Sequence, residues 1–385
     1  MKRILFVQHG DFRADYKRLQ AGEAEAYRDQ KRSVDFAAGL ADGNAVTVLR
    51  LGPEDYDEML APQLQTIGID KANLTAARAS AVMDRIAPTH LVLRSPRSAF
   101  LLAAARRGTF VLPSFADIFQ SGGPGSWLRH RHLRHLLDRC RAPCVANHSL
   151  NASRSLAQIV RIDAARIVPW DWSKVPLAGP PKPAPVDPRE PTLFYAGSLV
   201  ASKGVGDLID AVAALDRLGL QARATIAGPG DATQWRAYAD TRGVGDRISF
   251  PGRIPNSEVR AAMRASDFVV VPSRPDYPEG LPNVIYEGLA SRSVVALSDH
   301  PAFAGRLDRD RHCLVFKAAD PTDLATQIAR ACADPGLYRA VSSASEDAHE
   351  SLYLGMEWTG LVTTFLDDPE DRTGWVAPNS LAALG

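Results

Sequence analysis

Short apolar runs alternate along this chain with longer stretches in which apolar residues recur every three or four positions. In the first half the runs fall at residues 3 to 8, 45 to 50, 90 to 93, 109 to 112 and 143 to 146. Runs of this length, separated by segments of helical period, predict buried strands alternating with helices, the pattern of a parallel sheet covered on both faces. MKRILFVQ reads as the first strand. Its apolar part is too short for a signal-peptide core, and no run approaches the roughly 18 residues that span a bilayer.

All periodicity breaks at LAGPPKPAPVDPREP, Leu177 to Pro191, whose proline density predicts a semi-rigid linker. The alternation then restarts. TLFYAG reads as a strand, and Val205 to Leu218 as a helix with Val205, Leu208, Ile209, Val212 and Leu215 on one face. ATIAG, RISFPG, FVVVP, VVAL and CLVF supply further strands, and Asp320 followed by Pro321 signals a capped helix continued by Leu324 and Ile328. The expected organisation is an N-terminal domain over 1–175, a linker over 176–191, a second domain over 192–350, and a helix and tail over 351–385 that pack back on the first domain. Two doubly wound α/β domains of this kind hold ligands at the carboxyl ends of their strands, here expected in a central cleft that the two domains face.

Composition changes this picture little. With 45% hydrophobic and 23% charged residues in 385, the chain is of soluble globular type, large enough for two or three domains. Lys plus Arg number 45 against 44 Asp plus Glu, so there is no global field to attract nucleic acid. Cys140, Cys144, Cys313 and Cys332 show no CxxC spacing, and the histidines between His130 and His135 stand apart from any acid cluster. Reduced structural thiols, no metal site and a cytoplasmic location are the expectation.

The candidate chemistry centres on SRPDYPEGLPNVIYEGLASRSVVAL, where Glu279 lies in a turn rich in Pro and Gly and Glu287 in the helix that Pro282 is expected to open. Two convergent carboxylates repel unless they hold a metal, a shared proton or a polyol that donates to both. Without a nearby His or Cys, the polyol, a sugar, is the favoured reading. The competing one is a helix N-terminus decorated with acids, which its dipole favours by about 0.3 to 1 kcal/mol. The turn AGSLVASKGVGDL places Lys203 just before a helix N-terminus, where free amides and an ammonium suit an anion. It is not a Walker loop, because Lys203 precedes Gly204 and Val205 follows. A solvated surface lysine is the alternative.

Taken together and in order, GSLVASKGVGDLIDA, AGPGD (Ala227 to Asp231), ISFPGRIPNSEV (Ile248 to Val259) and DFVVVPSRPDYPEGLPNVIYEGLASRSVVA resemble the family 4 glycosyltransferases of GT-B fold, the glycosyl transferases group 1. The resemblance covers essentially the whole second domain. Over the first it is limited to the α/β pattern and VANHSLNASRSL. It implies a retaining, metal-independent, hexosyltransferase-type enzyme of polysaccharide biosynthesis. Such an enzyme takes a UDP- or GDP-type nucleoside diphosphate sugar as substrate, uses no cofactor, and glycosylates a glycan, lipid-linked or small-molecule acceptor.

On that resemblance Lys203 binds the donor diphosphate, Glu279 contacts hydroxyls of the donor sugar, and Glu287 holds the ribose hydroxyls. The amides of Gly280, Leu281 and Asn283 point at sugar and phosphates. Gly197 and Ser198 form the phosphate turn, and the nucleotide ring sits near the GPGD and FPGRI turns. Ser198 stands where many members carry arginine, so Arg253 or Arg274 is the expected substitute. Gly10, after the first strand, is expected to let the backbone approach the donor phosphates, though the glycine pair common in the family is missing. Where members place a His or an acid near the sugar, this chain offers Ala116 and Asp117, so Asp117 is the candidate for that position and His9 its alternative. Rival readings are a non-catalytic nucleotide-sugar binding or assembly protein, or a phosphorylase or epimerase, of the same fold. Finally, WLRHRHLRHLLDRCR, Trp127 to Arg141, reads as a basic helix with Leu133, Leu136, Leu137 and Cys140 on one face. That face either lies on an anionic inner membrane surface or packs into the core beneath a solvated basic side, and the cations could also serve a phosphorylated or lipid-linked acceptor.

Overall fold

The computed structural model describes residues 1–116, 118–277 and 279–384. The chain forms two compact units. Unit 1 comprises Met1–Glu23, Asp29–Ser173 and Leu354–Gly385; unit 2 comprises Ala24–Arg28 and Lys174–Tyr353.

Unit 1 is built on eight strands: β1 (Arg3–Gln8), β2 (Ala45–Gly52), β3 (Tyr56–Ala61), β4 (Leu64–Asp70), β5 (His90–Leu93), β6 (Phe110–Phe115), β7 (Val145–His148) and β8 (Ile167–Trp170). They lie in the order β3-β4-β2-β1-β5-β6-β7-β8, all parallel except for the antiparallel pair β3 and β4. Successive residues of a strand point to opposite faces, and β1 buries both sets. Leu5 and Val7 enter one core while Ile4 and Phe6 enter the other. The second core also takes Trp358, Leu361 and Phe365 from the helix Trp358–Asp367, so the C-terminal helix is part of unit 1.

Three of these strands escape the apolar-run reading for physical reasons. β3 is an edge strand whose residues are half-buried or exposed, and β4 interrupts its apolar residues with Gln65 and Thr66. β8 contains Pro169, which cannot donate to a ladder and is accommodated on the opposite edge of the sheet.

The helix Gly123–Arg139 buries Leu133, Leu136 and Leu137 in the first core, and Cys140 is half-buried. Its apolar face is therefore core packing and cannot lie on a bilayer. Trp127 and Leu128 remain 58% and 59% exposed beside its cations. Among the described residues no helix is long and apolar enough to cross a membrane.

Unit 2 carries six parallel strands: β9 (Thr192–Ala196), β10 (Arg223–Ala227), β11 (Ile248–Gly252), β12 (Phe268–Val271), β13 (Val294–Ser298) and β14 (Leu314–Phe316). Their order is β11-β10-β9-β12-β13-β14. The chain runs outward in one direction from β9 to β11, then returns to β12 on the other side of β9. The gap between the carboxyl ends of β9 and β12 is thus the topological switch point, where open α/β sheets bind ligands.

The proline-rich stretch is part of unit 2 and is tied to the rest of it. Lys182 Nζ donates to the Ser266 carbonyl at 2.5 Å and to Ser293 Oγ at 2.8 Å, while Asp267 Oδ1 accepts from the Val186 amide at 2.9 Å. Burial of Lys182 pushes its ammonium down to about 8.

Candidate functional site

Lys203 follows β9 and Glu279 follows β12, so the strand order brings together two residues 76 positions apart in sequence. Lys203 Nζ donates to both carboxylate oxygens of Glu279, at 2.7 and 2.6 Å. Ser273 Oγ, also beyond β12, donates to Oε2 at 2.7 Å. The Tyr277 ring lies 4.3 Å from the ammonium, a cation–π contact. The Tyr277 carbonyl in turn accepts from His300 Nε2 at 3.1 Å, because the Ala302 amide donates to Nδ1 at 3.0 Å and leaves the ring proton on the other nitrogen. Burial pulls the pKa of His300 down, which disfavours the charged ring.

Glycines set this approach of turns. Gly204 has φ 75°, and a Cβ there would fall 2.0 Å from the Pro272 carbonyl oxygen at the end of β12. A side chain would push apart the two turns that carry Lys203 and Glu279. Gly228, with φ 148°, brings the turn after β10 against that after β9: its Cβ would fall 1.8 Å from the Gly197 carbonyl oxygen.

Glu287 lies on the helix Asn283–Ala290. Pro282 does not open that helix as its first residue. It is the residue before it, with ψ 137°, and its carbonyl accepts from the Ile285 amide at 3.0 Å. The helix packs tightly on β12 and β13, since a Cβ on Gly288 would come within 3.1 Å of Val269 and Val295. Glu287 is only 5% exposed, and Asn256 Nδ2 donates to its Oε1 at 2.6 Å. Burial raises the pKa of this carboxyl; Asn256, then Arg28 and Arg260, pull it back.

A cavity of about 260 Å³ in unit 2 joins these features. Its wall includes Gly197, Ser198, Lys203, Arg253, Glu279, Asn283 and Glu287. Of the other candidates, Leu281 is buried, and neither it nor Gly280 reaches the cavity wall. Arg274 is withdrawn from the role considered for it. Its guanidinium is bound in bidentate fashion by Asp207, at 2.8 and 2.6 Å, and it does not line the cavity. Arg253 does line it and is exposed, so it remains the available one of the two.

Gly10 and His9 belong to unit 1, at the carboxyl end of β1, where His9 Nδ1 lies 3.2 Å from the Leu51 carbonyl and Nε2 2.7 Å from Arg97 Nη2. Ala116 follows β6 in the same unit. Asp117 lies outside the described residues.

Sequence reasoning missed Asn256, Ser273, Tyr277, His300 and Arg28. Asn256 begins the helix Asn256–Ala265, a place where asparagine reads as a cap. Arg28, with its neighbours Ala26 and Tyr27, lies more than 150 residues in sequence from the rest of the wall, which begins at Ala196. Among the described residues no group of His, Cys, Asp and Glu is arranged to hold a metal ion.

Residues 190–334 match the sequence family described as Glycosyl transferases group 1. A 131-residue stretch is 31% identical to the putative teichuronic acid biosynthesis glycosyltransferase TuaC of Bacillus subtilis, covering 34% of this chain and 30% of that protein. A 186-residue stretch is 25% identical to the mannosylfructose-phosphate synthase of Agrobacterium fabrum, covering 46% and 40%. The matched stretch thus spans less than half the length of either relative.

Among solved structures, the Anabaena protein HepE in complex with UDP superposes with a TM-score of 0.64 at 15% identity, covering 97% of this chain and 100% of that one. The sucrose-phosphate synthase of Thermosynechococcus elongatus gives 0.63 at 17%, covering 94% and 98%. These likenesses show the fold, two Rossmann-like domains of GT-B type.

Proposed function

We propose that this chain, whose residues 190–334 match the glycosyl transferases group 1 family, moves a sugar from a nucleoside diphosphate sugar to an acceptor hydroxyl with retention at the anomeric carbon. The observation that carries this reading is the pairing of two nearly buried acids in one cavity at a topological switch point, Glu279 held by Lys203 and Glu287 held by Asn256. Hydroxyl-rich ligands suit such acids, because Oε1 of Glu279 and Oε1 of Glu287 each have one donor in place and a second lone pair to accept with.

In this reading Glu279 takes hydroxyls of the donor sugar and Glu287 those of the ribose, while Lys203 and Arg253 face the diphosphate. The bond from the anomeric carbon to the diphosphate oxygen breaks, the new bond forms to the acceptor oxygen on the same face, and the acceptor's hydroxyl proton passes to the departing diphosphate oxygen. Charge develops on the departing diphosphate, so cations and the amides at the start of the helix Val205–Arg217 stabilise it without a strong base or a metal.

A UDP-type donor is supported by HepE, solved with UDP and with UDP-glucose. The named relatives range from teichuronic acid biosynthesis to a sugar phosphate synthase, which supports a glycan or small-molecule acceptor without choosing between them. The test is incubation with UDP and GDP sugars and candidate acceptors, read by nucleotide release and by the proton NMR coupling of the new anomeric centre. Transfer with inversion would overturn the retaining mechanism; no release from any donor would overturn the enzymatic reading.

We further assign peripheral membrane contact to the exposed end of the helix Gly123–Arg139, where Arg131 stacks on the Trp127 ring at 5.4 Å. Each cation near an anionic surface contributes about 1 kcal/mol. Co-sedimentation with anionic vesicles that high salt abolishes is the expected result. Equal sedimentation with neutral vesicles would remove the assignment.

A further inference from the structure

The chain leaves unit 1 after Glu23, lends Ala24–Arg28 to unit 2, and returns at Asp29. These five residues form neither helix nor strand, yet Ala26, Tyr27 and Arg28 line the same cavity as Lys203 and both glutamates. Two sets of contacts hold the segment there. The Asn256 amide donates to the Glu25 carbonyl at 3.0 Å, next to the side chain that grips Glu287. Arg28 is 5% exposed, with its guanidinium 4.4 Å from the Tyr286 ring and 5.4 Å from that of Tyr353.

Arg28 Nη2 donates to the Tyr353 hydroxyl at 3.3 Å, as does the Val175 amide at 2.8 Å, so the hydroxyl proton is directed to His349 Nε2 at 3.1 Å. Burying a guanidinium is costly, and this one is carried on the wall of a cavity rather than in a core.

Charge on that wall gives the reason. Lys203 is committed to Glu279, and Glu287, when ionised, adds a second negative charge. Without Arg28, the lining cations Lys203 and Arg253 would only cancel the two acids, and a diphosphate would enter a neutral wall. With it the wall carries an excess of positive charge.

We propose that Ala24–Arg28 is a strap over the donor nucleotide, and that Arg28 binds the donor by offsetting its diphosphate, a charge that Ser198 cannot meet. The proposal rests on the nucleotide-sugar reading above, which names Glu279 and Glu287 but not this segment.

Titration calorimetry of the whole chain with UDP and GDP, and with uridine and guanosine, tests it. In Arg28→Gln the better-binding diphosphate should weaken by about 10- to 100-fold, while its nucleoside weakens by less than about threefold. Arg28→Lys should fall between. Hydrogen exchange of the wild-type chain should slow across residues 24–28 when the diphosphate is added, a readout that needs no variant to fold. Unchanged diphosphate affinity in Arg28→Gln, or equal weakening of diphosphate and nucleoside, would overturn the charge role. Diphosphate binding without protection of the segment would overturn the strap and leave the donor reading standing. If the wild-type chain binds neither diphosphate, the donor reading falls and takes the strap with it.

Discussion

The two acids of the cavity are buried to almost the same extent, Glu279 at 8% and Glu287 at 5% exposed, but their surroundings differ in kind. Glu279 meets a full positive charge and a hydroxyl, so its negative charge is matched in place. Glu287 receives one neutral amide hydrogen bond and its nearest cations act only at a distance, which is why burial wins and its pKa rises. The first arrangement is a preset ion pair whose lysine a diphosphate can share. The second is an acceptor short of donors, which two neighbouring hydroxyls can satisfy. Equal burial therefore does not mean equal chemistry; the partner decides it.

Lys203→Met would break the comparison most sharply. It leaves Glu279 buried with only Ser273 donating to its side chain, at a cost of about 3 kcal/mol in denaturant unfolding. Transfer should fall by about one to two decades through the lost charge on the leaving group. Adding Glu279→Gln to the same chain should recover most of the stability and none of the transfer. A Lys203→Met single variant as stable as wild type would mean that the ion pair does not match the charge of Glu279.

Glu287→Gln turns on the opposite property. A carboxyl whose folded pKa is raised binds its proton more tightly in the folded chain, so stability is lost as pH climbs above the ordinary value of 4.5 toward the folded one. Glutamine carries no such term. The variant should therefore gain stability relative to wild type as pH rises through that window, then hold a constant lead, while nucleotide affinity drops about tenfold because the amide has one accepting oxygen. Thermal unfolding against pH checks the first part, and parallel curves for the two proteins would refute it.

The fold was legible in the sequence where burial on both sheet faces makes apolar runs continuous, as in β1, β2, β5 and β12. It was illegible at the edges, where β3 needs no apolar run and β8 tolerates Pro169. The same division holds at the site. Lys203, Glu279 and Glu287 stand in glycine- and proline-marked turns or beside them, a local signal that sequence preserves. Asn256 and Arg28 reach the cavity by tertiary routes, one disguised as the start of a helix and the other in a segment with no regular structure. Arg274 shows the converse: a cation in the right stretch of sequence is removed by Asp207, whose position no spacing reveals.

The smallest effect, and the finest test of the comparison, comes from the neutral partners. Asn256 donates to Glu287 at 2.6 Å and Ser273 to Glu279 at 2.7 Å, so bond length alone predicts similar losses on truncation to alanine. The surroundings predict otherwise. Without Asn256, a buried and already disfavoured carboxylate loses the side chain that donates to it, a loss of about 2 to 3 kcal/mol for a charged hydrogen bond. Without Ser273, both oxygens of Glu279 still receive the lysine ammonium, and the loss should be nearer to about 1 kcal/mol. Denaturant midpoints at neutral pH decide between these, and Asn256→Ala should lose part of its deficit as the pH is lowered and Glu287 takes up its proton. Equal deficits that do not change with pH would show that the two ends of the cavity differ in geometry only.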